Sequence, residues 1–222
     1  MRGRAAIIAA AALRGMTSVG FYQKLSGHKR ITTREASQLT GLSIPAASMA
    51  LRRLAAGGLS TPLKKGNWLL GVASSKPGAL VTAAAEPYQA YLSGWSALRL
   101  HDRIQQIPQK HFAMTLGRPG EMDIAGTRIA LHSITPALFG GYSFDSRVDG
   151  FVATPEKAVF DLAYLKAMNR SRVSASLPEA DLSGLQWNDV RHWVRLIPAS
   201  RVREAVERNL DRMRQQHAAN AD

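Results

Sequence analysis

The chain has 222 residues and carries 29 Lys and Arg against 16 Asp and Glu, for a formal net charge of +13. Its hydrophobic content of 45% and charged content of 20% are those of a globular protein, and they exclude a disordered or fibrous chain. Because the chain contains no cysteine, disulfides, thiol nucleophiles and cysteine-ligated zinc are excluded as well.

The positive charge is concentrated in the first third of the chain. Residues 1–76 hold twelve basic residues and one acid, Glu35, which gives +11, whereas residues 77–222 hold 17 basic and 15 acidic residues, which gives +2. Such a field attracts polyanions and releases their counterions on binding. The charge therefore predicts that the first third of the chain binds nucleic acid.

The first residues resemble only part of a signal peptide. Arg2 and Arg4 precede the apolar run Ala5–Leu13, but the run is short, rich in alanine and closed by Arg14. We interpret it as a short helix or a frayed tail, with Met16 as an alternative start. No stretch approaches the ~20 apolar residues of a membrane span. We therefore expect a cytoplasmic protein without a membrane partner.

Three helices are predicted before residue 58. The first follows Thr17. Thr32 and Glu35 have the spacing of a capping box, which predicts a second, short helix. Ser43 is a suitable cap for a third, longer helix, and Gly57 is placed to end it. The short helix, the turn and the longer helix are the order of a helix-turn-helix.

A β-hairpin is predicted next. Leu59–Leu63 and Trp68–Val72 flank a turn at residues 64–67, and Trp68 is expected in the core of the hairpin. Helices followed by a hairpin are the element order of a winged helix-turn-helix. We therefore expect residues 1–76 to be a winged helix-turn-helix domain that binds double-stranded DNA.

The DNA-binding surface is predicted from the longer helix. Its apolar spacing places Ile44, Ala47, Leu51 and Leu54 toward the core, so that the opposite side faces the major groove. Arginine binds guanine through two hydrogen bonds, and hydroxyls and amines at helix starts or at a wing bind phosphate. The candidate DNA-binding residues are Thr32, Thr33, Ser43, Pro45, Ser48, Met49, Arg52, Arg53, Lys64, Lys65 and Asn67. Taken alone, the arginine and lysine pairs are also typical of solvated surfaces; the local charge favours DNA.

The remainder of the chain is predicted to be a second domain. Residues 77–87 are rich in Ala, Pro and Gly without an amphipathic period, which is typical of a linker. Residues 88–222 predict strands near 90, 111–116 and 128–134, a helix opened by Thr154 and Pro155, and two C-terminal helices broken at Pro198. The predicted fold class is thus α+β: a winged helix-turn-helix followed by a larger mixed α+β domain with a helical C-terminus.

Two segments of the second domain carry a resemblance. They are Tyr91–His101 (YLSGWSALRLH) and Phe151–Leu162 (FVATPEKAVFDL). A winged helix followed by these segments resembles the AbiEi-type antitoxins over about residues 18–170. The resemblance implies an antitoxin and autorepressor of a type IV toxin–antitoxin system. Such a protein binds inverted repeats in its own promoter, here as a monomer or weak dimer, and neutralises a nucleotidyltransferase-like toxin without a stable complex.

The residues of these two segments are expected to have structural roles. Trp95, Ala97 and Leu98 are predicted core residues. Lys157 belongs to the first turn of a helix, and Asp161 is expected either to accept hydrogen bonds from neighbouring backbone or to face solvent. The resemblance transfers no catalytic residue.

Other functions are less well supported by the sequence. Glu121, Asp123, Glu156 and Lys157 have the residue types of a metal-dependent nuclease, but the Glu-x-Lys spacing is absent. The six histidines lack metal-ligand spacing, and no phosphate-binding glycine loop occurs. We therefore expect no enzyme, no cofactor and no metal. A ligand-responsive winged-helix regulator without a toxin and an RNA-binding scaffold stay open as alternatives.

Overall fold

The computed structural model describes residues 17–63, 66–71, 76–124, 126–168 and 180–221. The expectations for Ala5–Leu13 and for Lys64 and Lys65 lie outside these ranges. The described α-helices are α1 (Ser18–Leu25), α2 (Thr33–Thr40), α3 (Ile44–Ala56), α4 (Pro77–Ala85), α5 (Gly94–Leu100), α6 (Pro155–Ala167), α7 (Trp187–Arg195) and α8 (Ser200–Ala221). The described strands are β1 (Arg30–Thr32), β2 (Ser60–Pro62), β3 (Asn67–Leu70), β4 (Ala90–Leu92), β5 (His111–Thr115), β6 (Gly120–Ile124), β7 (Thr127–Ser133), β8 (Tyr142–Asp145) and β9 (Gly150–Ala153). The fold is mixed α+β with two sheets, as expected for the class.

We call residues 17–71 the first part of the chain and residues 76–221 the second part. The helix starts in the first part follow local capping signals. Thr32 Oγ1 accepts the Glu35 N–H at 3.1 Å while the Glu35 carboxylate accepts the Thr32 N–H at 2.7 Å, so the predicted capping box is confirmed. Ser43 caps α3 by accepting the Ala46 N–H, also as predicted. Gly41 ends α2 in the left-handed conformation, with φ 73°, that glycine adopts without strain.

The first sheet has three strands. Strands β1 and β2 both pair antiparallel with β3, so the order is β1-β3-β2. Strand β1 was not predicted, and its last residue, Thr32, is also the cap of α2. The sheet closes one side of a core built from α1, α2 and α3, whose members are Phe21, Leu25, Ile31, Ala36, Leu42, Ala46, Ala47, Leu51, Leu54, Trp68 and Leu70.

One residue of α3 does not lie where the apolar spacing placed it. Ala47, Leu51 and Leu54 are buried as predicted, whereas Ile44 is 50% exposed. Ile44 is the first residue of the helix, beyond the edge of the core, and Ala46 packs inward there. The prediction that Ile44 faces the core is therefore wrong.

The second sheet has six strands in the order β6-β7-β5-β4-β9-β8. The pairs β4–β9 and β5–β7 are parallel, and the pairs β4–β5, β6–β7 and β8–β9 are antiparallel. Helix α4 packs against β4, β5, β7 and β9, while α6 packs against α5, α7, α8 and β9.

The predicted linker at residues 77–87 is a buried helix over most of its length. Pro77 occupies the first turn of α4. Leu80 and Val81 are each 1% exposed in the second core, which α4, α6 and their neighbouring helices form with the six-stranded sheet. A Cβ on Gly78 would lie 2.6 Å from the Gly150 Cα, so the helix backbone rests directly on β9. The linker prediction is wrong because α4 is apolar on most of its sides and therefore lacks an amphipathic period.

The C-terminal part is helical as predicted. Thr154 Oγ1 accepts the Lys157 N–H at 3.2 Å and caps α6, and Pro198 separates α7 from α8. Asn209 of α8 donates to the Ala163 carbonyl at 3.0 Å, which fixes α8 on α6. Among the helices in the described ranges, none is long and apolar enough to cross a membrane.

Candidate nucleic-acid interface

Two rows of side chains form the outer surface of α3. Since each residue turns the helix by about 100°, positions four apart lie almost above one another. The first row is Ile44, Ser48 and Arg52, and the second is Pro45, Met49 and Arg53. Ser48 is half-buried, and the other five are exposed. The five candidates predicted on this helix thus share one surface, which we call the α3 face, and Ile44 joins them.

The first part of the chain carries several exposed cations. Lys24, Lys29, Arg34, Arg52 and Arg53 are exposed, and none of them forms an ion pair with any residue that the structure describes. Glu35, the single acid of residues 1–76, is held on its own helix cap. Hydrogen bonds from Thr32 lower the pKa of Glu35, so this carboxylate stays ionised. The first part of the chain therefore carries exposed cations that no described acid pairs with, and two of them, Arg52 and Arg53, lie on the α3 face.

The two predicted helix caps differ in their availability. The Thr32 hydroxyl donates to the Glu35 carboxylate at 2.8 Å, so its hydrogen is already used within the capping box. Ser43 is exposed, and among the described residues its hydroxyl accepts the Ala46 N–H at 3.4 Å and donates to none. Ser43 can donate to a phosphate at the start of α3, while Thr32 acts as a cap.

Thr33 is not available for the phosphate contact that its position predicted. It is 9% exposed, and its hydroxyl donates to the Gly66 carbonyl at 3.2 Å and accepts the Trp68 Nε1–H at 2.9 Å. Its backbone N–H also donates to Gly66, at 2.7 Å. Thr33 instead joins the start of α2 to the hairpin, and its partners lie more than thirty residues away in the sequence.

Asn67 is the first residue of β3 and is half-buried. Its Oδ1 accepts a hydrogen bond from Arg30 Nη2 at 3.0 Å. Arg30, which the sequence did not single out, also forms an ion pair with Glu86, beyond the end of α4. Asn67 thus orients a cation that an acid of the second part neutralises. Lys64 and Lys65 lie outside the described residues.

A second concentration of polar groups lies inside the second core. Lys157 and Asp161, one helical turn apart on α6, form an ion pair. Asp161 Oδ2 also accepts hydrogen bonds from Ser93 Oγ at 2.7 Å and from the Tyr91 hydroxyl at 3.1 Å. All four residues have no exposed surface. Both alternatives expected for Asp161 are wrong, because its partners are side chains from elsewhere in the chain.

Aromatic rings surround the buried ammonium. Lys157 Nζ lies 4.8 Å from the ring centre of Trp193, 4.9 Å from that of Phe160 and 5.5 Å from that of Tyr91. Burial raises the pKa of Asp161 and lowers the pKa of Lys157, and the attraction between the two groups opposes both shifts. Burial also raises the pKa of the Tyr91 hydroxyl. The cluster has no opening to a substrate, so it acts as a framework between α6, α7 and the sheet.

The residues considered for a nuclease do not converge. Glu121 pairs with Lys110, Asp123 accepts the Gly126 N–H at 2.9 Å, and Glu156 accepts the Gln186 N–H at 3.2 Å. Lys157 turns into the core instead of joining them. In the part of the chain that the structure covers, no group of three acidic or histidine side chains is arranged to hold a metal ion.

Of the two groups of side chains described above, the α3 face is exposed, whereas the cluster around Asp161 is buried. Of the sequence candidates, Pro45, Ser48, Met49, Arg52 and Arg53 lie on that face and Ser43 lies at its start. Thr32 and Thr33 are used within the fold. Comparison with known proteins adds no family to this geometry: no family model matches the chain, and no curated protein matches its sequence significantly.

Proposed function

We propose that residues 17–71 are a winged helix-turn-helix that binds double-stranded DNA through α3, and that the protein is a transcription regulator. Three features support this proposal. The element order is helix, strand, two helices and a hairpin, the three strands have the order β1-β3-β2, and Gly41 makes the turn between α2 and α3. Helix α3 would be the recognition helix.

The observation that carries the proposal is that the α3 face presents Arg52 and Arg53, which pair with no described acid, within a part of the sequence whose net charge is +11 over residues 1–76. A helix of 13 residues is about 20 Å long, and the major groove is about 12 Å wide and admits an α-helix. Arg52 is exposed in the row that also presents Ser48, so a docked α3 would direct it at base edges. The exposed Lys24, Lys29 and Arg34 would supply the sequence-independent attraction to phosphates.

We further propose that the second part is the antitoxin domain of a type IV toxin–antitoxin pair. The support is that the segments bearing the AbiEi-type resemblance meet in three dimensions: Tyr91 and Ser93 from one bind Asp161 from the other. The protein would then repress its own promoter at inverted repeats as a monomer or weak dimer. It would neutralise a nucleotidyltransferase-like toxin without a stable complex. A ligand-responsive regulator with no toxin is the alternative.

DNA binding is tested by titrating the full chain with a duplex from its own upstream region and with a random duplex, at several salt concentrations. Fluorescence anisotropy gives Kd. The logarithm of affinity should fall with the logarithm of salt by about 0.9 for each neutralised phosphate. Binding that is absent at low salt, or that does not respond to salt, overturns the proposal.

The role of the α3 face is tested by Arg52→Ala with Arg212→Ala as its matched control. Both arginines are exposed on helices, and Arg212 is on α8, outside the proposed interface. Arg52→Ala should reduce discrimination between the two duplexes by about 1–3 kcal/mol, the value of a bidentate guanine contact. Arg212→Ala should leave it unchanged. Equal effects of the two variants would mean that only total charge matters.

The antitoxin proposal is tested by co-expression with a candidate nucleotidyltransferase encoded beside the gene. The full chain should rescue growth, and an affinity tag on either protein should not retain the other. A stable stoichiometric complex would assign the pair to type II. A lack of rescue, with DNA binding intact, would favour the ligand-responsive regulator.

A further inference from the structure

Two exposed apolar side chains lie on the α3 face, among its polar and cationic residues. Ile44 is 50% exposed and Met49 is 49% exposed. Neither is needed to fill the core, because Ala46, Ala47, Leu51 and Leu54 occupy the inner side of α3. Both lie in the first half of the helix, which is the part that a recognition helix presents to base edges.

Their positions place them on either side of the central row. Ile44 and Met49 are five residues apart, so they are separated by about 7.5 Å along the axis and by about 140° around it. Counted at about 100° per residue around the axis, Ser48 and Arg52 project in directions between those of Ile44 and Met49. Both apolar side chains therefore lie nearer the start of the helix than Arg52, and around the helix axis they project on either side of it.

The DNA major groove offers one apolar group at its base edges, the C5-methyl group of thymine. Provided that α3 docks in this groove as proposed above, we infer that Ile44 and Met49 contact thymine methyl groups. The protein would then require thymine at two positions near the base pair read by Arg52, both toward the start of α3. The α3 face would thus distinguish thymine from cytosine by apolar contact as well as guanine by hydrogen bonding.

The inference is tested by removing single methyl groups from DNA. A binding site is first selected from a random duplex library with the full chain, and each thymine in it is then replaced by uracil, which lacks only the methyl group. Uracil at two positions should weaken binding by about fourfold each, the effect of one buried methyl group. Substitution elsewhere should leave Kd unchanged.

Protein variants assign each methyl group to its side chain. Ile44→Ala should abolish the effect of uracil at one of the two positions, and Met49→Ala should abolish it at the other. Val19→Ala is the control: Val19 is 66% exposed on α1, outside the α3 face, and this variant should retain both effects. All three positions are exposed, and alanine is a good helix former, so the variants should keep the fold, which circular dichroism checks.

The outcomes separate this inference from the proposed function. If no sequence is selected from the library, both are overturned. If binding is specific and depends on Arg52 but no uracil substitution changes Kd, the methyl contacts are refuted and DNA binding stands. If Ile44→Ala or Met49→Ala weakens the thymine and uracil duplexes equally, the residue acts without touching the methyl group, and the inference fails for it.

Discussion

Removing one partner of the buried Lys157–Asp161 pair should destabilise the second core by about 3–5 kcal/mol, since it leaves an uncompensated buried charge. In Asp161→Leu, the ammonium of Lys157 loses its acceptor, and the hydroxyls of Tyr91 and Ser93 lose theirs as well. The three aromatic rings around Nζ offset part of this loss. A loss of this size is a large fraction of the roughly 5–15 kcal/mol that stabilises a typical domain.

In Lys157→Met the remaining carboxylate of Asp161 keeps its two hydroxyl donors. We therefore expect this variant to lose about 3 kcal/mol of unfolding free energy, the lower end of the range. Burial already raises the pKa of Asp161, and the lost ammonium had lowered it. A group whose folded pKa is raised stabilises the fold at low pH and ceases to do so as the pH rises through that pKa. The penalty of Lys157→Met should therefore shrink on acidification.

The double variant Lys157→Met/Asp161→Leu removes both charges, so its cost should be at least about 2 kcal/mol less than the sum of the single costs. Glu204 and Arg208 provide the matched control. They also lie four residues apart on one helix, but their side chains are 63% and 61% exposed. The same cycle there should give a coupling of about 0.3–0.5 kcal/mol.

The assay is urea unfolding of the full chain followed by tryptophan fluorescence. Three of the four tryptophans pack against the second core, so the fluorescence reports on the unfolding of that core; they are Trp95, Trp187 and Trp193. Two results would refute the reasoning that the ion pair is shielded from water and energetically coupled. Either each single variant loses less than about 1 kcal/mol of unfolding free energy, or the two single losses simply add in the double variant.

Three further variants test other parts of the structure. Thr33→Val should destabilise the first core by about 1–3 kcal/mol, because the buried Trp68 Nε1–H loses its acceptor; an unchanged urea midpoint would contradict this. Burial lowers the pKa of His132 from 6.5 to about 4, so its contribution to stability is present above pH 6.5 and lost as the pH falls to about 4, by about 3 kcal/mol. Between those pH values, His132→Gln should lose stability less steeply than the native chain, and equal slopes would refute this. Gly78→Ala should cost about 1–3 kcal/mol, since the new Cβ would lie 2.6 Å from strand β9, whereas Gly120→Ala, with nothing within 4 Å, should cost much less in the same unfolding assay.

Local signals in the sequence are sufficient for the helices of the first part. The capping box at Thr32, the cap at Ser43 and the turn at Gly41 each involve residues within a few positions, so they can be recognised without knowing the fold. Strand β1 cannot be recognised in this way, because three residues become a strand only through pairing with β3, about 37 positions later. Helix α4 was not predicted because it is buried on most of its sides, so its sequence lacks the helical alternation of apolar and polar residues.

The candidate site is predictable where it depends on helix geometry alone. The four-residue spacing of Ser48 and Arg52 is enough to bring them to one surface of α3. The role of Thr33 is not predictable, because its hydroxyl partners, Gly66 and Trp68, are distant in sequence. The buried cluster around Asp161 cannot be predicted from the sequence for the same reason. The four-residue spacing of Lys157 and Asp161 is visible in the sequence, but the hydroxyls that bind Asp161 come from nearly seventy residues earlier.

Strand β3 contributes to both cores. Trp68 and Leu70 point into the first core, whereas Leu69, between them, packs in the second. A shift of β3 by one residue would reverse both orientations, withdrawing the indole from one interior and the leucine from the other. Each of the two cores thus specifies the same register of β3 independently. If either core opens, β3 loses part of the packing that also holds its side chains in the other core. We expect hydrogen exchange in β3 to slow to the rate of the most protected amides of the second sheet, so that the small first sheet acquires a protection that three short strands would not have alone.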